Sequence, residues 1–374
     1  MSGDQTKSRK LEHVQLSLSR DVQFKTLTTL FEHIDLLPNG SPEKISISSV
    51  RTGAKFLGKM INAPIFASGM TGGHEQVTKI NLDIAEGISE AGLAMGVGSQ
   101  RAMIEDPSLA YTYDVKKEHD LILMGNLGAA QTTKYSIDKI EGMVSGIEAD
   151  ALCIHTNPGQ EAAQPEGNID FKGVTSAISE ISSKLGKPVI VKEVGNGISR
   201  DVALRLRSSG VYGIDTGGSG GTNWIAIELY RSKGKSNAEI FKEWGIPTAQ
   251  SLIEIRSSFD GFVTATGGIR SGKDVAKAVA LGADACGIGM PLVQVQSKAG
   301  AIGVHDYLSN IIEELKAEMA RLNCRNIEDL KKIRFKISPY FTDILRQRIS
   351  EEKLNILFKR RSKGKEEEKR NEGI

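Results

Sequence analysis

The stretch FVTATGGIRSGKDVAKAVALGADACGIGM, residues 262–290, holds one whole structural unit and the start of the next. An apolar run, Phe262–Ala265, ends in the glycine turn Thr266-Gly267-Gly268-Ile269-Arg270. A helical stretch follows, and then a second run, Asp284–Ile288, ending Gly287-Ile288-Gly289-Met290. Near-continuous apolar runs suit parallel strands buried on both faces. A run, a turn and a helix together make one βα unit.

The same unit recurs upstream. Runs of apolar and small residues lie at Ile65–Ser68, Leu93–Val97, Leu121–Met124, Ala151–Ile154, Val189–Val191 and Tyr212–Ile214. Counting the two at the end, eight starts spread from residue 65 to residue 284, a mean period of about 31 residues, the length of one βα unit. The expected fold is α/β, a (β/α)8 TIM barrel with an N-terminal extension and loop insertions after strands four and six. An open doubly wound sheet is the alternative, and the count of eight favours closure. The insertions are NPGQEAAQPEGN after His155 and the stretch Thr216–Pro247 with Trp224 and Trp244, a plausible contact between subunits. The expected division is an extension over 1–60, a barrel over 61–345 and a charged tail over 346–374. A hairpin is expected around Ile45–Val50, and KRRSKGKEEEK, residues 359–369, reads as a solvated end.

Composition narrows the function. The 374 residues are 39% hydrophobic and 25% charged, ordinary values for a globular protein. Lys and Arg number 48 against 46 Asp and Glu, a net charge of +2, so no nucleic-acid partner is expected. No apolar stretch reaches the ~18 residues of a membrane helix. The polar start, MSGDQTKSRKLEH, lacks the apolar core of a secretory signal, so a cytoplasmic location is expected. Cys153, Cys286 and Cys324 have no metal-type spacing; the first two read as small core residues.

The 40 glycines carry the chemistry. Those at Gly267-Gly268 and Gly287–Gly289 let backbone N–H groups approach an anion, and barrels often bind phosphate after strands seven and eight. A third cluster, Gly217-Gly218-Ser219-Gly220-Gly221-Thr222, is expected to be flexible until a ligand orders it, with hydroxyls from Ser219 and Thr222. The other strand ends supply Gly69-Met70-Thr71, Ser99-Gln100-Arg101, Asn126, His155-Thr156-Asn157 and Lys192. Barrel geometry gathers these groups at one mouth. Lys192, closing an apolar strand, needs an anionic partner or a lowered pKa. Glu161 alone makes a poor cage but suffices for Mg2+ held mostly by substrate phosphates. The adjacent cations Arg9 and Lys10 suit a diphosphate.

The segments RKLEH, MTGG, GSQR, NLGAAQ, HTNPGQE with QPEG, VKEVGNGIS, DTGGSGGTNW and TGGIRSGKDVAKAVALGAD resemble, in that order, the type 2 isopentenyl diphosphate isomerase family. They span Arg9 to Gly289, about three quarters of the chain. The resemblance implies an FMN-binding barrel that works as a homo-oligomer, a tetramer or octamer, on a small diphosphate substrate. It implies Mg2+, and NADPH as a source of reduced flavin. It places Arg9 and Lys10 on the diphosphate, Ser99, Gln100 and Arg101 near the substrate, and Glu161 on Mg2+. Gln160 would lie by the allylic carbons, with His155 and Asn157 as further catalytic candidates. FMN would meet Gly69, Met70, Thr71, Ser99, Asn126, Lys192 and Thr222, with Gly268, Ile269, Arg270, Gly289 and Met290 cradling its phosphate. The implied reaction is a 1,3-allylic proton transfer from isopentenyl to dimethylallyl diphosphate with reduced FMN as acid and base and no net redox. The alternatives are an FMN-dependent 2-hydroxy-acid oxidase and a non-catalytic flavin- or phosphate-binding barrel. The oxidase needs a base His late in the chain, and the segment after strand six has none. The non-catalytic barrel leaves RKLEH, GSQR and the Gln160–Glu161 pair unexplained.

Overall fold

The computed structural model describes residues 3–38, 45–233 and 237–359. Eight parallel strands close into a barrel. They are β1 (Ile65–Ala67), β2 (Ala94–Gly96), β3 (Ile122–Gly128), β4 (Ala151–His155), β5 (Val189–Lys192), β6 (Gly213–Asp215), β7 (Phe262–Thr266) and β8 (Ala285–Ile288). Each pairs with its neighbour in sequence, and β8 returns to β1 through Cys286–Ile65, Gly287–Phe66 and Ile288–Ala67. Every strand coincides with one of the apolar runs. β3 reaches furthest beyond its run, because Asn126, Leu127 and Gly128 stay paired with Cys153, Ile154 and His155 of β4. That extension brings Asn126 level with the barrel mouth.

The hairpin falls later than expected. Ile47–Ser49 form a single 3-10 turn, and the antiparallel pair is Ala54–Phe56 with Lys59–Ile61. Leu57 and Gly58 make the turn at φ 50° and 83°, the doubly left-handed pattern that matches strand twist. The hairpin delivers Phe56, fully buried, to the N-terminal end of the barrel. Its ring stands 5.3 Å from Phe262 and 5.4 Å from Phe66, so aromatic packing plugs the end away from the site.

Segments before and after the barrel in sequence pair with each other. Ile34–Leu36 pair antiparallel with Phe335–Ile337, and Leu345, Ile349 and Leu354 are buried in the main core. The helix Glu351–Lys359 therefore begins inside the segment read as a tail, while the charged run beyond Lys359 lies outside the described residues. Cys153, Cys286 and Cys324 are free and buried; burial pushes the Cys153 thiol up to about 12, which keeps it an unreactive core group.

Four helices shape the mouth. They are α1 (Gly3–Ser19), α2 (Pro158–Ala163) after β4, α3 (Trp224–Arg231) after β6, and α4 (Met290–Arg321) after β8. α4 breaks at Gly300, whose φ of 61° and ψ of −149° are not helical. α2 packs on α3 through Ala163, Ile225 and Leu229. A Cβ on Gly159 would stand 3.0 Å from Ile225 Cδ1, so the small residues of α2 admit α3.

Candidate active site

The C-terminal ends of the strands open into a cleft of about 1440 Å³ with the solvent at its mouth included. The cleft has three levels.

The deepest wall is glycine. Gly217, Gly218, Gly267, Gly268, Gly287 and Gly289 line it, with Arg270 and Met290 beside them. Two glycine turns interlock there. A Cβ on Gly221 would lie 2.4 Å from Gly268 N, and one on Gly267, at φ 105°, 2.0 Å from Gly218 O. The run after β6 is therefore packed against the protein's own backbone at Glu193, Thr248 and Gly268. Gly217 N donates to Asp215 Oδ1 and Thr266 Oγ1, Ser219 N to Ile246 O, and Phe24 N to Gly221 O. The Ser219 hydroxyl is also not a ligand group. It is fully buried, without a partner, and off the cleft wall. Thr222 does line the cleft.

The middle level is polar. Asn126 Nδ2 donates to Val97 O at 3.0 Å, so Asn126 Oδ1 is left to accept. His155 Nδ1 is 2.8 Å away and carries the ring proton. Burial, with Lys192, Lys10 and Arg9 nearby, holds His155 down to about 3. The imidazole is neutral, and its Nε2 offers a lone pair. Lys192 is buried, with Nζ donating to Glu193 O at 2.7 Å. Glu193 Oε2 takes three backbone N–H groups, from Val194, Gly195 and Asn196. Burial outweighs those donors and pushes its carboxyl up to about 7. Thr71 Oγ1 is buried without a partner in the same wall.

The top level is a lid. α1 crosses the mouth and lowers Arg9, Lys10 and His13 into it. Lys10 Nζ donates to Ser99 O at 3.0 Å. Gln160 and Glu161 come from α2. Gln160 Nε2 donates to Glu228 Oε1 at 3.0 Å, and its Oε1 accepts from Asn157 Nδ2 at 3.1 Å. Glu161 accepts from Asn157 Nδ2 and from Asn168 N. Glu228, on α3, is fully buried and also meets His13 Nε2 at 2.8 Å and Arg231 at 2.7 Å. Gln164, its amide turned to satisfy both neighbours, accepts from Arg9 and donates to Glu228. Trp224 stands edge-on to His13 at 5.4 Å. It lines the cleft, while Trp244 is 55% exposed.

Most residues singled out from sequence line this cleft: Arg9, Lys10, Gly69, Met70, Thr71, Ser99, Arg101, Asn126, His155, Asn157, Gln160, Glu161, Lys192, Thr222, Gly268, Arg270, Gly289 and Met290. Two do not. Gln100 is fully buried behind the wall, where Oε1 accepts from Asn126 N and Nε2 donates to Met143 O. It fixes β3 and cannot touch a substrate. The Ile269 side chain packs in the core, which leaves only its backbone for an anion. Sequence reasoning assigned no role to His13, Gln164 or Glu228. His13, one helical turn beyond Arg9 and Lys10, and Glu228, an acid in the apolar run Trp224–Leu229, were the available signals. Among the described residues no group of three or more His, Cys, Asp or Glu gathers as a metal cage.

Lys10 gives a pH signature. Burial first, and Arg9 second, lower its pKa to about 7. An anion bound beside it favours the charged form and raises that pKa. Above pH 7 binding must therefore take up a proton, and affinity must fall as pH rises. Calorimetric titration with inorganic diphosphate at pH 8, in buffers of different ionisation enthalpy, is expected to show uptake approaching one proton per site. Lys10→Met should abolish that increment.

A closed barrel with a glycine cradle after β7 and β8, a buried lysine closing β5 and a lidded polar mouth defines an FMN-type barrel enzyme. Residues 129–336 match the family model described as FMN-dependent dehydrogenase. The isopentenyl-diphosphate delta-isomerase of Methanosarcina barkeri is 39% identical over 353 residues, 92% of this chain and 95% of that one. Its namesake in Methanocaldococcus jannaschii is 41% identical over 91% and 97% of the two chains, and that of Pyrococcus furiosus 40% over 96% and 93%. The chain belongs to the isopentenyl-diphosphate delta-isomerase family. Among solved structures, a mandelate oxidase mutant with an FMN adduct superposes at a TM-score of 0.62, with 18% identity, over 90% of this chain and all of that one. A putative lactate oxidase of Pediococcus acidilactici gives 0.63 and 18%, over 90% and 94% of the two chains. At such identity these oxidases share the fold. No helix among the described residues is long and apolar enough to cross a membrane.

Proposed function

We propose that this chain interconverts isopentenyl diphosphate and dimethylallyl diphosphate by proton transfer at two carbons of the allylic unit, without net redox change. The observation that carries the reading is the lid. It sets two cations for a diphosphate, Arg9 and Lys10, beside an uncharged amide, Gln160, that Asn157 and Glu228 hold from both sides. Family membership supports the same reaction.

The cleft fits FMN. Its glycine wall accepts a phosphate on backbone N–H groups, Lys192 faces it as a cation, and the Thr71 hydroxyl inside it lacks a partner. The residues that would hold FMN are Gly69, Met70, Thr71, Ser99, Asn126, Lys192 and Thr222, with Gly268, Arg270, Gly289, Met290 and the Ile269 backbone at its phosphate. When bound and reduced, FMN supplies the acid–base function that a weakly basic alkene demands. NADPH is the proposed reductant.

The protein's own groups bind and orient. Arg9 and Lys10 neutralise the diphosphate. Glu161 gives Mg2+ one carboxylate while substrate oxygens and water complete its shell. Gln160 fixes the alkene and keeps a lone pair and an N–H free toward the cleft. His155 stays neutral and acts as an acceptor at Nε2. Lys192 would favour negative charge on a bound flavin ring. Helix α1 excludes water from the mouth. Assembly as a homo-oligomer, a tetramer or octamer, is part of the proposal. Ile240 and Trp244, 89% and 55% exposed on the β6 insertion, support it.

The test supplies isopentenyl diphosphate, FMN and Mg2+ in deuterated water, with and without anaerobic reductant. Deuterated dimethylallyl diphosphate formed only under reduction supports the reading. Oxygen consumption with a 2-hydroxy acid, and no isomer, would move it to the oxidase. Glu161→Gln is expected to raise the Mg2+ concentration for half-maximal rate by about 10–100-fold. An unchanged Mg2+ titration removes Glu161 from the metal.

A further inference from the structure

Arg231, at the end of α3, does not line the cleft, yet its guanidinium meets carboxylates from three segments. It hydrogen-bonds Glu166 in the loop after α2 and Glu228 of α3, the latter at 2.7 Å, and its Nε stands 3.2 Å from Glu12 of α1 as an ion pair outside hydrogen-bond geometry. The Glu228 carboxylate is divided between two tasks. Oε2 faces Arg231, while Oε1 meets His13 of α1 and Gln160 of α2. Arg231 and Glu228 thus join α1, α2 and α3 in one charged network. The first two carry Arg9 and Lys10, and Gln160 and Glu161, and Thr222 lies two residues before the third. They are far apart in sequence and otherwise belong to separate loops of the mouth.

We propose that Arg231 is a positioning residue that clasps α1 to the loop after β4, so that the diphosphate cations and the alkene amide close over the barrel mouth as one body. The proposal rests on the assignment of Arg9 and Lys10 to a diphosphate.

The geometry gives the reason for arginine. A planar guanidinium presents five N–H donors in a fixed fork, which one ammonium cannot copy across three carboxylates in three directions. Arg231 is 12% exposed in its side chain, and Glu228 not at all. The cation therefore also balances a buried carboxylate, whose other neighbours are His13, the two amides of Gln160 and Gln164, and the charge of Arg9. Glu12 and Glu166 are 49% and 27% exposed. They form the outer half of the clasp and can be altered without touching the buried half.

Two variants of the full-length holoenzyme test this, with inorganic diphosphate as the probe. Glu12→Gln combined with Glu166→Gln opens the outer half only. Arg231→Gln opens all of it. The double variant is expected to bind inorganic diphosphate about tenfold more weakly, and Arg231→Gln more weakly still. Amide hydrogen exchange should speed up in residues 3–19 and remain unchanged in the barrel strands, with FMN affinity held within about twofold. In turnover, KM for the diphosphate should rise tenfold while kcat changes less than threefold, because saturating substrate recloses the clasp. If diphosphate affinity and α1 exchange stay at wild-type values in the double variant, the clasp is wrong. If Arg231→Gln misfolds, the double variant still decides. Loss of diphosphate affinity on opening the clasp, in a protein that proves not to isomerise, would uphold the clasp and overturn the function.

Discussion

Gln160→Ala is expected to lower turnover by about 10²–10³-fold while FMN affinity changes less than about threefold, the size of effect that a group positioned at a proton transfer supplies. The separation follows from where Gln160 sits. It is on α2, in the lid, and its bonds run to Asn157 and Glu228, whereas the glycine cradle and Lys192 lie below. Removing the amide leaves Glu228 Oε1 with one donor fewer in a buried place, a cost of ~1–3 kcal/mol. A fall in thermal midpoint should therefore accompany the loss of rate. Gln160→Glu separates the two effects. It keeps the volume but sets a second carboxyl against the fully buried Glu228, so one of the pair must hold a proton. Its activity should persist while that proton is held and fall as pH rises past the pair's raised pKa. Rapid-quench measurement of product and flavin fluorescence titration give the two numbers. Wild-type turnover in Gln160→Ala would remove Gln160 from the reaction.

The barrel was legible because its signal is local and repeated. The strands are buried on both faces along most of their length, so the runs are mainly apolar, and glycine turns mark several of their ends. The hairpin was misplaced because its turn is Leu57-Gly58. Leucine at a positive φ carries none of the Asn or Asp signature of such turns. In the site, residues at strand ends were found because closure of the barrel brings them together whatever lies between. Orientation was not available from that argument. Gln100 stands between Ser99 and Arg101, which both face the cleft, yet the bend into the following helix turns its amide back onto Asn126 and Met143. Glu228 was invisible for another reason. Its partners His13 and Gln160 lie 215 and 68 residues away, and only the packing of α2 and α1 against α3 creates the network. The glycine run after β6 shows the same limit. Its composition reads as freedom, but each missing side chain admits another segment's backbone.

That last point carries the second large effect. Gly221→Ala is expected to weaken FMN binding by about 100-fold, ~2.8 kcal/mol, with little change in secondary structure. The added Cβ would lie 2.4 Å from Gly268 N and 3.0 Å from Gly268 Cα, and the obstacle is backbone, which cannot rotate aside. The two turns must separate by roughly 1 Å to reach an ordinary contact of ~3.5 Å. Gly268 N belongs to the turn assigned to the phosphate, so the separation falls on the cradle. Backbone donors act on an anion through fixed direction, and a shift of that size misaligns them. Gly268→Ala attacks the same joint from the other side, with the added strain of φ 75° and a Cβ 2.3 Å from Thr29 Cγ2. The control is Gly142→Ala, in the helix Ile137–Ser145, where a Cβ meets nothing within 4 Å. It should leave FMN affinity alone and raise stability by ~0.5–1 kcal/mol, because alanine loses less backbone freedom than glycine on folding into a helix. Equilibrium titration with FMN, read by quenching of its fluorescence, measures all three. Wild-type affinity in both Gly221→Ala and Gly268→Ala would mean that the phosphate rests elsewhere in the cleft, and would leave the interlocked turns a purely structural role.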